Sequence, residues 1–274
     1  VSIWQRHTDP AHIERIGVPL PHHLGHLAGT RIVHISDLHV GRYFRADVWA
    51  RHIERINALR PDLVVITGDA MDWSPRYTTD YIDPIDMLDP RVASLAILGN
   101  HDFYFGANRL ATLYTQNTHV EVLRGRRWSS DQLPGLVVWG IDDPMTRLVG
   151  AARYPKLATW AHDLDPRAFN VLLSHRPDAF RVARRSGFDL QLSGHTHGGQ
   201  LSFTTPRGRR IHIASPLGPY DRGLFARRTR GSSRERPTHL YVSRGLGFAG
   251  VPYRRDCPTE ITHITLHAPL RVAA

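Results

Sequence analysis

Arg31-Ile32-Val33-His34-Ile35-Ser36-Asp37-Leu38-His39 is a mostly apolar run that stops at a carboxylate and an imidazole. A short apolar run of this kind reads as a buried strand. Where an extended strand ends, alternate residues face one side, so Asp37 and His39 can chelate the same ion. The pattern recurs along the chain. Asp62-Leu63-Val64-Val65-Ile66-Thr67 runs into Gly68-Asp69, and Leu95-Ala96-Ile97-Leu98 into Gly99-Asn100-His101-Asp102. Phe169 to Leu173 runs into Ser174-His175, and Leu190-Gln191-Leu192 into Gly194-His195-Thr196-His197. Between these strands, Val48, Trp49, His52, Ile53, Ile56 and Leu59 recur at helical spacing, which predicts a helix from Ala46 to Leu59 before Pro61. Ala107 to Gln116 is a second predicted helix. Pro177 to Arg185 is a third, with proline at a tolerated first-turn position and Gly187 past its end. Leu136 to Ile141 reads as a strand of a second sheet, and His239 to Ser243 and Glu260 to His267 as late strands. The class is α/β, with polar residues gathered where strands end and loops converge above the sheet.

The donors define the chemistry. Asp37, His39, Asp69, Asn100, His175, His195 and His197 offer oxygen or imidazole nitrogen and no thiolate. Such a set suits Mn, Fe, Zn, Co or Ni. It is too large for one divalent ion and right for two that share a bridge. Two ions roughly 4 Å apart clamp a phosphorus centre for in-line attack. Asp69 is the candidate bridging carboxylate, one oxygen to each ion, and Gly68 before it permits tight backbone geometry. His101 follows Asn100, which already supplies a ligand, so its candidate role is catalytic: stabilising phosphoryl oxygens or protonating the leaving group. Asp102 is the candidate catalytic partner that orients the imidazole. These residues point to hydrolysis of a phosphoester or phosphoanhydride, and they do not say whose phosphate.

Taken in order, Asp-x-His, Gly-Asp, Gly-Asn-His-Asp, His and Gly-His-x-His resemble the calcineurin-like metallophosphoesterases. The likeness covers the chain from about Arg31 onward. It implies a four-layer αββα sandwich, two mixed β-sheets flanked by helices. It implies two divalent metal ions, with a hydroxide bridging them as nucleophile. By motif, Asp37, His39, Asp69 and His197 hold one ion, Asp69, Asn100, His175 and His195 hold the other, and His101 is the catalytic histidine. Ser36 to Gly41, Gly194 to Gln200, Leu240 to Gly247 and Cys257 to Ile261 resemble a bacterial branch in particular. That branch contains membrane-associated phosphodiesterases and a UDP-2,3-diacylglucosamine pyrophosphatase. The reaction expected is therefore cleavage of a phosphodiester or pyrophosphate bond.

Composition sets the remaining bounds. The chain has 274 residues, 41% of them hydrophobic, enough for one domain with a sizeable core. Residues 30–274 are expected to form that domain, with Val1 to Gly29, carrying His7, His12, His22, His23 and His26, as an N-terminal surface arm. The 35 basic residues outnumber 25 acidic ones, giving a formal charge of +10, and Lys156 is the only lysine. Arginine matches phosphate in two-pronged fashion, so the bias favours an anionic phosphorylated small molecule or lipid, with peripheral membrane contact. Arg42 and Arg244 are candidate substrate contacts. The stretch Pro206 to Pro237, with Arg207, Arg209, Arg210, Arg222, Arg227, Arg228, Arg230, Arg234 and Arg236, is a candidate basic lip beside the metals. The lone cysteine, Cys257, cannot form an internal disulfide and is expected as a small buried hydrophobe. No segment is long and apolar enough to span a bilayer and no secretory signal is visible, so a cytoplasmic or membrane-associated protein is expected. The chain begins at Val1, which leaves an upstream anchor open. Two other classes compete. Nuclease or nucleic-acid-binding function rests on charge alone, without a recognised module or aromatic–basic interleaving. A non-catalytic scaffold of the same fold would lack a ligand or His101, and neither is lacking. No obligate protein partner is evident.

Overall fold

The computed structural model describes residues 4–268 apart from 73, 146–151, 206–209, 213, 215–216 and 230–235. The first sheet has the order β2 (His12–Pro19), β16 (Glu260–His267), β3 (Arg31–Ile35), β4 (Leu63–Thr67), β5 (Ala93–Ile97) and β6 (Val120–Val122). The second has β13 (Gly223–Arg227), β14 (Thr238–Val242), β10 (Leu190–Ser193), β9 (Phe169–Ser174), β8 (Leu136–Ile141) and β7 (Arg126–Ser129). Strands β3 to β6 are parallel, as are β14, β10, β9 and β8, while β16 against β3 and both outer pairs of the second sheet are antiparallel. Both sheets are therefore mixed. Two short ribbons complete the strands: β1 (Trp4–Arg6) with β15 (Tyr253–Arg255), and β11 (Ser202–Thr204) with β12 (Arg210–His212).

Alternation along the strands builds the layers. Ile32, Val65, Leu95 and Ile97 face the second sheet and pack with Val138, Val171, Leu173 and Leu192. Their neighbours Val33, Ile35, Val64, Ile66 and Ala96 face outward. There they meet Trp49, Ile53 and Ile56 of α1 (Ala46–Ala58), Tyr81 and Ile85 of α2 (Thr78–Ile85), and Leu110 and Tyr114 of α4 (Ala107–Asn117). The short α3 (Asn100–Phe105) precedes α4. On the far side, Trp139, Ile141 and Leu172 pack under Leu157 and Trp160 of α5 (Pro155–Trp160) and Val182 and Ala183 of α6 (Phe180–Ser186). Helix, sheet, sheet, helix is the four-layer αββα sandwich. The helix expected from Pro177 begins as a 3-10 turn, Pro177–Ala179, before α6 and its left-handed cap at Gly187.

The N-terminal segment departs from its reading as a surface arm. β2 pairs in parallel with β16 from His12↔Glu260 to Pro19↔His267 and forms an edge of the first sheet. Val18, Leu20, Leu24 and Leu27 are buried between the sheets, which draws the segment in. The His23 and His26 rings lie 3.0 and 2.8 Å from the carbonyl oxygens of Arg167 and Pro134, so these histidines tie layers together.

One consequence of the helix layer is acid sensitivity. His52 on α1 is 4% exposed, stacks on Phe44 at 5.7 Å, and burial with Arg55 and Arg51 nearby lowers it to about 4. The unfolded chain then binds a proton there below about 6.5 while the folded chain does not. Stability is complete above that pH and falls toward pH 4, by up to about 1.4 kcal/mol per pH unit. In urea unfolding across pH 7.5 to 4.5, His52→Leu should keep its midpoint at pH 7.5 and show a shallower acid decline. An unchanged decline would rule this origin out.

Candidate metal centre

The expected donors converge where β3, β4, β5, β9 and β10 end. His39 Nε2 lies 3.1 Å from His197 Nε2 and 3.7 Å from Asp69 Oδ2, and His197 Nε2 lies 3.5 Å from Asp37 Oδ1. A second group centres on His175 Nε2, which is 3.3 Å from Asp69 Oδ2, 3.1 Å from Asn100 Oδ1 and 3.2 Å from His195 Nδ1. Asp69 thus belongs to both groups. A single oxygen, Oδ2, faces both, while Oδ1 accepts the His101 backbone N–H at 2.8 Å. That differs from the expectation of one oxygen per ion.

The backbone is bent to make this possible. Asp37, His39, Asp69, His195 and His197 all adopt positive φ, from 46° to 71°, a region uncommon for non-glycine residues. Strain of this kind collects at functional sites, where surrounding structure over-determines it. Gly68 at φ +91° packs so closely on the Gly99 backbone that a side chain has no room, and a Cβ on Gly194 would meet Ser36 Oγ and Asp37 Oδ2. Both glycines let two loops touch at the donors.

The electrostatics fit divalent cations. Burial lowers His39 to about 4 and holds His195 and His197 well below their ordinary value, so all three offer neutral lone pairs at neutral pH. Burial pushes Asp37 up to about 6, with His175 opposing. Burial would also raise Asp69, but His175, His39 and His101 outweigh it and hold the carboxyl well below the usual range. His175 answers: burial disfavours its cation, yet Asp69 and Asp37 push it up to about 10. Asp69 Oδ2 and His175 Nε2, 3.3 Å apart, favour each other's charged forms, and a divalent cation would compete with a proton for that imidazole nitrogen. The His175 Nδ1 lies 2.7 Å from the Thr67 carbonyl, an outer contact that turns Nε2 toward the centre. Two carboxylates, an amide oxygen and four imidazoles, all buried or half-buried and aimed at one another, suit the N/O chemistry of Mn, Fe, Zn, Co or Ni.

His101 sits at the edge of this cluster. Its ring lies edge-on to His39 at 4.6 Å and to the exposed Tyr104 at 5.7 Å. Asp102 does something other than orient it. Its fully buried carboxylate accepts backbone N–H groups of Asp69 and Gly99 at 2.8 Å, Ala70 at 2.9 Å and Met71 at 3.4 Å. Asp102 is a positioning residue that clips the Asp69 loop to the Asn100 loop. Arg244, a candidate substrate contact, is instead held by Glu260 at 2.5 Å and Glu14 at 3.1 Å. Arg42 is exposed, with its guanidinium 5.5 Å from the Tyr43 ring centre.

The basic lip forms only in part: Arg222 packs against Gly198 of the donor loop and donates to the Asp256 carbonyl at 2.8 Å, whereas the later arginines lie elsewhere. β13 runs antiparallel to β14, with Gly223 opposite Val242 at the donor end and Arg227 opposite Thr238 at the far end. Arg227 and Arg228 therefore lie a strand's length from the metals, and Arg236 pairs with Asp189 at the start of β10. Arg207, Arg209, Arg230 and Arg234 lie outside the described residues. Two other arginines border the site without any motif to announce them. Arg176 joins Asp143, at 2.5 Å, to His195 Nε2, at 3.0 Å. Arg254 is fully buried and donates to the His197 and Arg244 carbonyls at 3.1 and 2.6 Å. Cys257 is buried as expected and donates to the His197 carbonyl at 3.2 Å.

A sequence profile of the calcineurin-like phosphoesterases matches residues 30–199, which carry every donor assembled above. The chain belongs to that family. The chain is 34% identical over 244 residues to an uncharacterized metallophosphoesterase of Bacillus subtilis, covering 87% of this chain and 79% of that protein. It is 31% identical over 236 residues to one of Campylobacter jejuni, covering 86% and 59%. It is 30% identical over 276 residues to a transmembrane protein with metallophosphoesterase domain from Danio rerio, covering 94% and 57%. The chain thus spans less than three fifths to about four fifths of these relatives' lengths. Among the described residues, no helix is long and apolar enough to cross a membrane. The family uses two divalent metal ions to hydrolyse phosphoesters, and the clusters here are able to hold them.

Proposed function

We propose that this phosphoesterase cleaves a phosphodiester or pyrophosphate bond in an anionic small molecule or lipid. Asp37, His39, Asp69 and His197 would hold one ion, and Asp69, Asn100, His175 and His195 the other. Bound there, the ions supply charge stabilisation at the phosphoryl oxygens and an activated water. The protein's own part is to fix the phosphorus in line and to deliver a proton to the departing oxygen, which we assign to His101.

The state of the neighbouring arginines carries the choice of bond. A monoester terminus is dianionic and calls for a free guanidinium fork on its outer oxygens. Arg176 is committed to Asp143, Arg244 to Glu260 and Glu14, and Arg254 to backbone carbonyls. A diester carries one charge at the attacked phosphorus and asks less of such a fork. Exposed Arg42 is then available to a second anionic group of the substrate. Contact with a membrane belongs to the same proposal, prompted by the relative named a transmembrane protein.

The test is a metal-reconstituted assay on matched chromogenic substrates. With bis(p-nitrophenyl) phosphate against p-nitrophenyl phosphate, kcat/KM should be higher on the diester. A clear monoester preference overturns the proposal.

A further inference from the structure

A separate cleft of about 430 Å³ opens over α6 and β13, and none of the residues lining it is a metal donor. Three guanidiniums border it. Arg181 and Arg184 are three residues apart on α6 and so share a face, and Arg227 ends β13. The two elements are tied together: Arg184 Nη1 donates to the Arg228 carbonyl at 2.8 Å, and Thr229 Oγ1 to the Arg184 carbonyl at 3.2 Å. Elsewhere arginines find acids, as Arg45 does Asp80 and Arg91 does Asp62, each at 2.7 Å. Among the described residues no carboxylate pairs with Arg181, Arg184 or Arg227. The one acid lining the cleft, Asp178, is occupied by Arg153 at 2.7 Å and by the Tyr154 hydroxyl. Among the described residues, the cleft thus gathers three guanidiniums against one acid that is already engaged.

Its walls are apolar. Phe180, 1% exposed, meets the Tyr220 ring edge-on at 5.5 Å, and half-exposed Leu217 stands beside them. A bare inorganic anion would leave this surface unused. A ligand with phosphate at one end and a flat ring at the other would use both, and the volume suits a molecule of that size.

We propose that the cleft is an accessory site for a nucleoside phosphate, distinct from the metal centre. Arg181, Arg184 and Arg227 take the phosphates, and Tyr220, backed by the buried Phe180 ring, takes the base beside Leu217. Binding that rests on guanidinium–phosphate pairs at an open cleft weakens as salt rises.

The test is calorimetric titration of the metal-loaded chain with the non-hydrolysable α,β-methylene analogue of ADP. Arg181→Gln/Arg227→Gln alters two exposed positions, so its turnover on a chromogenic diester should match wild type. Its affinity for the analogue should fall at least about tenfold, as expected for lost charge-assisted hydrogen bonds. Asp69→Asn, which disables the metal centre, should keep this binding. Unchanged affinity in the double variant overturns the proposal. So does loss of binding in Asp69→Asn, which would put the analogue on the metals. Pyrophosphate binding as tightly as the analogue overturns the role of the wall, and adenosine binding as tightly overturns that of the arginines.

Discussion

Asp69→Asn should remove at least one of the two ions and lower turnover by about 10²–10³ or more, the scale at which loss of one preorganised charge is felt. Asp69 is the residue common to both donor groups: Oδ2 lies 3.7 Å from His39 Nε2 and 3.3 Å from His175 Nε2. Asparagine keeps the shape, and its amide oxygen can still accept the His101 N–H that Oδ1 now receives at 2.8 Å. What it removes is the charge that holds two cations close together. The same charge raises His175, so the variant's His175 should titrate lower, with burial no longer opposed by its principal partner. Metal analysis of the purified variant against wild type gives the answer. Two ions per chain in Asp69→Asn, or a fully active wild type that carries one, would remove Asp69 from the bridging position.

The parts of this fold legible in the sequence share one property: local pattern and tertiary environment agree. Ile32 to Ile35, Leu63 to Ile66 and Phe169 to Leu173 are apolar except at His34 and Asn170 because both sheet faces are covered, and each runs into a donor. The donors could be read because two residues per motif suffice to mark a strand end. β2 was hidden for the opposite reason. Its partner β16 lies some 250 residues away, its exposed positions include His12 and Arg15, and Pro10, Pro19 and Pro21 in and beside it suggest a loop. Asp102 was assigned to the nearest imidazole because sequence shows neighbours, whereas its bonds run to backbone amides of two other loops. The arginine-rich stretch follows the Gly194 motif closely in sequence, but a single strand reversal at β13 carries Arg227 to the opposite end of the sheet. Arg254 had no signal at all: it becomes a support of His197 only when β15 folds beneath that loop.

His101 tests whether the centre's edge serves chemistry or retention. Its ring lies within reach of His39 and Asp69 as one of three clustered donors, yet Asn100, Asp69 and the other imidazoles already fill both groups. Its ring meets Tyr104, which is 57% exposed, so it stands at the solvent edge of the cluster. A ligand in that position would be redundant, whereas a proton donor there can reach a leaving oxygen. His101→Asn should therefore keep both ions and lose roughly 10²–10⁴ in turnover, the range for a positioned acid–base group. The loss should shrink along a series of aryl diesters as the leaving phenol becomes more acidic, because a good leaving group needs no proton. The backbone N–H of residue 101 still reaches Asp69 Oδ1 in the variant, so the bridge stays anchored. A folded variant that loses an ion would make His101 a ligand, and a loss independent of leaving group would assign it to phosphoryl oxygen stabilisation instead.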